Sequence, residues 1–205
     1  LARCGVDWPG LRLREPAVVY CSITGYGQNG PNATRAGYDA AIQAEAGLMS
    51  ITGEPADAPG GGPQKVGVAV ADLMAGMYAV TGILAALRHA EATGEGQQID
   101  LALFDAQVGW LANQAMNYLV GGAVPQRQGT AHPNIVPYQV MPAGDGHFML
   151  AVGNDTQFRR FVELIELPRL ADDPRFASNA ARVIHRAELL PLLNERLATQ
   201  SVAHW

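Results

Sequence analysis

Residues 66–105, VGVAVADLMAGMYAVTGILAALRHAEATGEGQQIDLALFD, limit what the rest of the chain can be. The stretch opens on a β-branched run, Val66, Val68 and Val70. It then passes into a long helical pattern in which Leu73, Met77, Val80, Ile83, Leu84 and Leu87 recur three and four apart. Gly94 and Gly96 end that helix, with Arg88 and His89 in its last turns, and residues 98–103 read as a strand. Asp72 is the only acidic residue where the helix begins. A carboxylate there meets unpaired backbone N–H groups and the positive end of the helix dipole, which favours its anion. Two roles suit it: a helix N-cap, the commoner one, or a ready nucleophile. Gly76 and Gly82 lie inside the same helix, where each costs about 1 kcal/mol against alanine. A close backbone neighbour or a ligand is the expected reason for them.

Upstream, residues 17–23 (AVVYCSI) read as a short buried strand. The following Gly25, Gly27 and Gly30 match the GxGxxG pattern, but Pro31 and Asn32 come where a dinucleotide-binding helix would have to open. We therefore read a wide turn that can border a ligand, followed by an Ala-rich helix over 38–48 and a Gly/Pro loop over 52–62. Asp105 is expected to cap a second long helix, with Val108, Leu111, Ala112, Ala115, Tyr118 and Leu119 on one face. Alternation of strand and helix over 17–120 predicts an α/β layer with a parallel sheet. Residues 121–137 lack periodicity and read as a linker. Beyond them, 138–141 and 147–152 form a hairpin, and helices follow around Phe158–Ile165 and Leu189–Leu197, the latter tolerating Pro191 only in its first turn. The expected domains are 1–120 (large, α/β), 121–137 (linker) and 138–205 (small, α+β).

The net charge of −5, with scattered arginines and a single lysine, Lys65, argues against nucleic acid as a partner. Cys4 and Cys21 are too few for a disulfide framework, which favours a reducing, cytoplasmic setting. No apolar run is expected to reach the length of a membrane span. The histidines at 89, 132, 147, 185 and 204 show no ligand spacing, so no metal is expected. Neither a nucleophile elbow nor a Ser–His–Asp order is present, and Cys21 reads as a packed thiol. Asp72 is the remaining candidate for chemistry, with an enzyme and a structural domain both open on the residues alone.

The segments SITGYGQNGP, AGYDAAIQAEAGLMSITG and KVGVAVADLMAGMYAVTGILAALRHAEATGEGQQIDLALFDA closely resemble the family III CoA-transferases, the CaiB/BaiF type that includes formyl-CoA transferase. The resemblance continues through HPNIVPYQVMPAGDGHFMLAVGNDTQF and LADDPRFASNAARVIHRAELLPLL to Trp205. It implies part of a Rossmann-like large domain followed by a smaller α+β domain. It also implies that Asp72 is a covalent nucleophile, passing from a mixed anhydride to an aspartyl-CoA thioester as CoA moves from an acyl-CoA donor to a carboxylic acid. Ala36, Gly37, Tyr38 and Asp39 match a segment that contacts CoA, and Arg3 matches an arginine that holds CoA phosphate. No tightly bound cofactor is implied, because the CoA thioester is the substrate.

An α-methylacyl-CoA racemase of the same fold is the alternative, but that subgroup has His where this chain has Tyr38. A phenol of reference pKa near 10 is a poor base at neutral pH. The resemblance further implies an interlocked homodimer, with a Rossmann-like half before these residues and a returning segment after them. Residues 1–205 by themselves are therefore expected to be catalytically incompetent. The glycine-rich loop that shields the intermediate in some members has no clear counterpart here.

Overall fold

A computed structural model describes residues 4–205; Arg3 lies outside the described residues. Two compact units divide between Arg127 and Gln128, with the short Asp57–Pro59 segment grouped with the second.

In the first unit, α1 (Trp8–Arg14) leads to β1 (Tyr20–Thr24), then α2 (Asp39–Glu45) and α3 (Leu48–Ile51), which Gly47 separates at φ 91°. The central α4 (Val70–Thr93) follows, then β2 (Gln98–Ala102), α5 (Leu103–Gly109) and α6 (Ala112–Leu119). The β1 and β2 strands pair in parallel, with Tyr20 opposite Gln98 and Thr24 opposite Ala102. A parallel pair needs a long crossover, and α4 lies within it. Gly94 closes α4 in the left-handed conformation at φ 75°, its N–H bonded to Ala90 O, as a terminal glycine does.

Four findings go beyond the sequence reading or change it. First, the apolar residues whose spacing marked the long helix include Leu73, Met77, Val80, Leu84 and Leu87, which are exposed. Its buried face is Ala71, Ala75, Ala79, Ala86 and Ala90, whose small side chains allow close approach by neighbouring elements. Secondly, α4 is long and apolar enough, by length and composition, to cross a membrane. Its alanine face nevertheless joins a core cluster in which Ala71 and Ala75 pack with Ile42, Ala46, Leu103 and Ala106. Thirdly, the helix expected after Asp105 is two helices, broken at Ala112 with φ 46°, and Asp105 is the third residue of α5 rather than its cap. Finally, Pro191 sits well inside its helix, beyond the first turn.

The second unit contains the antiparallel hairpin β3 (Tyr138–Ala143) and β4 (Gly146–Ala151), with Ala143 opposite Gly146. It continues through α7 (Asp155–Leu164), a 3-10 turn at Pro168–Ala171, α8 (Asn179–Ile184) and α9 (Arg186–Leu197). Its core joins Val136, Met141 and Val152 to Phe158, Val162, Ile165, Phe176, Leu189, Leu193 and Leu197. At its centre Arg182 is fully buried. The guanidinium donates to Val136 O at 2.7 Å and Phe176 O at 2.9 Å, pairs with Asp155 at 2.8 Å and lies over the Phe158 ring. A charge so placed needs every one of those partners.

Candidate active site

Asp72 does not cap α4. The N-cap is Ala69, which has no side-chain oxygen to offer, and Asp72 is the third residue of the helix. Among the described residues its carboxylate has no hydrogen-bond or ion-pair partner, and the side chain is exposed. It stands in the first turn, where the positive end of the dipole favours negative charge.

The capping work falls to another helix. Asp39, in the first turn of α2, accepts a hydrogen bond from Ala71 N at 2.8 Å through Oδ1 and from Gln43 Nε2 at 2.7 Å through Oδ2. Gln43 is fully buried and spans the remaining gap. Its Oε1 accepts from Val66 N at 2.9 Å, and its Nε2 also approaches Val68 O at 3.4 Å. The bend over residues 66–69 is thus fastened to α2 by side chains, which fixes where α4 begins and where Asp72 emerges.

The segment that holds Asp39 is itself anchored. A Cβ on Gly25 would lie 2.5 Å from Gly37 Cα, so the two backbones touch where only glycine fits. This contact accounts for the first glycine of the GxGxxG pattern. Gly27 and Gly30 adopt positive φ, Gly27 N donates to Thr24 Oγ1 and Gln28 N donates to Asp100 Oδ2 at 2.9 Å. The next helix opens only at Asp39, so this loop does not present a helix N-terminus in the dinucleotide-binding manner.

Of the residues singled out in the sequence, Ala36, Gly37, Tyr38 and Asp39 lie at the start of α2, which Asp39 ties to the first turn of α4 where Asp72 stands. Tyr38 is the N-cap residue of α2 and is 74% exposed. The sequence reading missed Gln43. Its signal was a polar residue one turn after Asp39, beside the apolar Ile42. It also missed a cluster bordering the same loop, in which Glu45 accepts from Arg35 at 2.6 Å and from Tyr26 Oη at 2.9 Å, with Arg35 over the Tyr26 ring. Arg35 and then Tyr26 hold the Glu45 carboxyl below the usual range, while burial and the Glu45 bond push the Tyr26 phenol up. Burial also raises the Cys21 thiol, in keeping with a packed rather than reactive group. No His, Cys, Asp and Glu converge as a metal site among the described residues.

The sequence model of CoA-transferase family III matches residues 1–205. The chain belongs to that family. CoA-transferase family III relatives include a succinate–glutarate CoA-transferase of Agrobacterium fabrum, 53% identical over 95% of this chain and 48% of its own length. A human succinyl-CoA:glutarate CoA-transferase is 41% identical over 100% of this chain and 46% of its own length. The chain spans about half the length of the curated relatives it matches. Among solved structures, a CaiB/BaiF family protein from Brucella suis superposes with TM-score 0.76 at 50% identity, covering 100% of this chain and 53% of that one. Rv3272 from Mycobacterium tuberculosis superposes with TM-score 0.83 at 31% identity, with 100% and 53% covered. The α/β architecture is therefore that of CoA-transferase family III.

Proposed function

We propose that these residues carry the nucleophile of an acyl-CoA:carboxylate CoA-transferase, and that the nucleophile is Asp72. The observation that carries this reading is a free, exposed carboxylate in the first turn of a long helix, whose capping duty is performed by Asp39 instead. A carboxylate oxygen of Asp72 attacks the thioester carbonyl carbon of the donor, the C–S bond breaks, and CoA thiolate leaves a mixed anhydride. The thiolate then attacks the aspartyl carbonyl, which expels the donor acid as its carboxylate and forms an aspartyl-CoA thioester. The acceptor carboxylate attacks that thioester, and the released thiolate takes the acceptor's carbonyl from the second anhydride. Asp72 is regenerated as a carboxylate, and no net proton is consumed.

The names of the relatives support short dicarboxylates, succinate and glutarate, as the exchanged acids. Ala36, Gly37 and Tyr38 would border the thioester from the start of α2, and Arg3 would hold CoA phosphate through its guanidinium fork. In the whole protein we expect residues 1–120 and 138–205 to serve as large and small domains joined by 121–137. A cytoplasmic homodimer belongs to the same reading. The outward Leu84 and Leu87 on α4 support a further covering surface there.

The test uses the whole protein that contains these residues, incubated with succinyl-CoA and a panel of carboxylic acids, then quenched and examined by mass spectrometry. New acyl-CoA products together with a CoA adduct on the Asp72 peptide are expected, and both vanish in Asp72→Ala. Exchange retained by Asp72→Ala removes Asp72 from the mechanism. Deuterium entering the α position of a branched acyl-CoA, without an adduct, makes the protein a racemase.

A further inference from the structure

The two glycines inside α4 have different surroundings. A Cβ on Gly82 would sit 3.4 Å from Ile99 Cδ1 and 3.5 Å from Cγ2, so Gly82 lets the Ile99 side chain of β2 lie against the helix. A Cβ on Gly76 would meet nothing within 4 Å among the described residues. Packing within these residues therefore explains one glycine and leaves the other without a reason, although both weaken the helix relative to alanine.

Gly76 lies four residues after Asp72, so the two share a face of α4. Helical side chains lean toward the N-terminus, so a side chain at 76 would cover the turn that bears Asp72. Leu73 and Val80, three residues before and four after Gly76, flank it and are 58% and 53% exposed. A bare strip of helix with an apolar flank thus runs up to a free carboxylate.

We infer that Gly76 determines acyl-group specificity: its missing side chain keeps open the space beside Asp72 that the acyl part of the CoA thioester fills during attack. The inference rests on the reading of Asp72 as nucleophile. The ligand portion concerned is the methylene chain between the thioester and a distal carboxylate, which the Leu73 and Val80 side chains suit. A larger residue at 76 shortens the donor that can reach the carboxylate, while leaving the carboxylate itself in place.

The experiment compares Gly76→Ala and Gly76→Leu with the unsubstituted whole protein, using acetyl-CoA, succinyl-CoA and glutaryl-CoA as donors and recording thermal midpoints alongside. Both variants should melt no lower than the parent, because alanine and leucine are better helix formers and enter open space. For Gly76→Leu, kcat/KM should fall at least about tenfold with glutaryl-CoA and much less with acetyl-CoA, with Gly76→Ala between. An unchanged donor profile overturns the inference, as does an equal loss on every donor. A lowered thermal midpoint also overturns it, because protein rather than substrate would then occupy the space. If the parent forms the Asp72 adduct while Gly76→Leu keeps its donor profile, only this inference fails. If the parent forms no adduct, the nucleophile reading fails with it.

Discussion

Asp39 Oδ1 accepts the backbone N–H of Ala71 at 2.8 Å, so the start of one helix is capped by a side chain from another. Replacing Asp39 by alanine removes that cap and one partner of the buried Gln43 amide. Stability should fall by about 0.5–2 kcal/mol, the range for a lost helix cap. On the proposed mechanism, kcat should fall about tenfold or more, since a shift of the first turn of α4 raises the barrier at Asp72. Thermal melts and donor kinetics check this together. A rise in KM for the CoA thioester with kcat unchanged would place Asp39 against the substrate instead.

Gly25 and Gly37 touch backbone to backbone. Either Gly25→Ala or Gly37→Ala must push the loop after β1 away from the start of α2, at a cost of about 1–3 kcal/mol, as for other overpacked sites. The double variant should cost less than the sum of the two, because one displacement accommodates both methyl groups. Urea unfolding of the three variants measures this, and full additivity would mean that the residues are not in contact.

In the second unit, Arg182→Met fills similar space but strands the carbonyls of Val136 and Phe176, each at a cost of about 1–3 kcal/mol when buried. The near-equal volume makes this a test of hydrogen bonding rather than of a cavity. A variant that melts within a degree or so of the parent, where about 1 kcal/mol should move a domain of this size by several degrees, would show that water replaces the guanidinium.

Acid should weaken the same unit through a surface network. Arg175 holds the Asp173 carboxyl below its usual range, while His185 and then Arg175 do the same for Glu188. Carboxylates depressed in the folded state contribute stability that is fully present above their ordinary values and is lost as pH falls through the lower folded ones. Because Arg175 and Glu188 are solvent-exposed and Asp173 is only half-buried, the contribution is small and weakened by salt. Arg175→Gln should therefore lower stability slightly at neutral pH and flatten the decline through the carboxylate range. Urea midpoints followed against pH read the effect, and an unaltered slope would show that the network contributes nothing.

Local patterning alone determined much of the first unit. Alternation of strand and helix predicted the parallel β1–β2 pair, and the glycine after a long apolar repeat placed the end of α4. The acidic residue at the start of that repeat marked Asp72. The hairpin and the apolar stripes of α7 and α9 were equally visible, because a period of two or of three to four residues depends only on which side of an element faces other atoms. The motif order that marks the family lies in the chain as well.

Tertiary structure decided which face of α4 turns inward. The spacing of leucine and methionine marked the helix but not the face that packs on α2 and α5, where close approach requires the smaller alanine. It also decided which carboxylate caps and which stays free. Asp39 and Ala71 are far apart in sequence, so no local signal joins them. Nor could spacing distinguish Gly76, which faces open space, from Gly82, which makes room for Ile99. A missing side chain acquires meaning only from what stands opposite it.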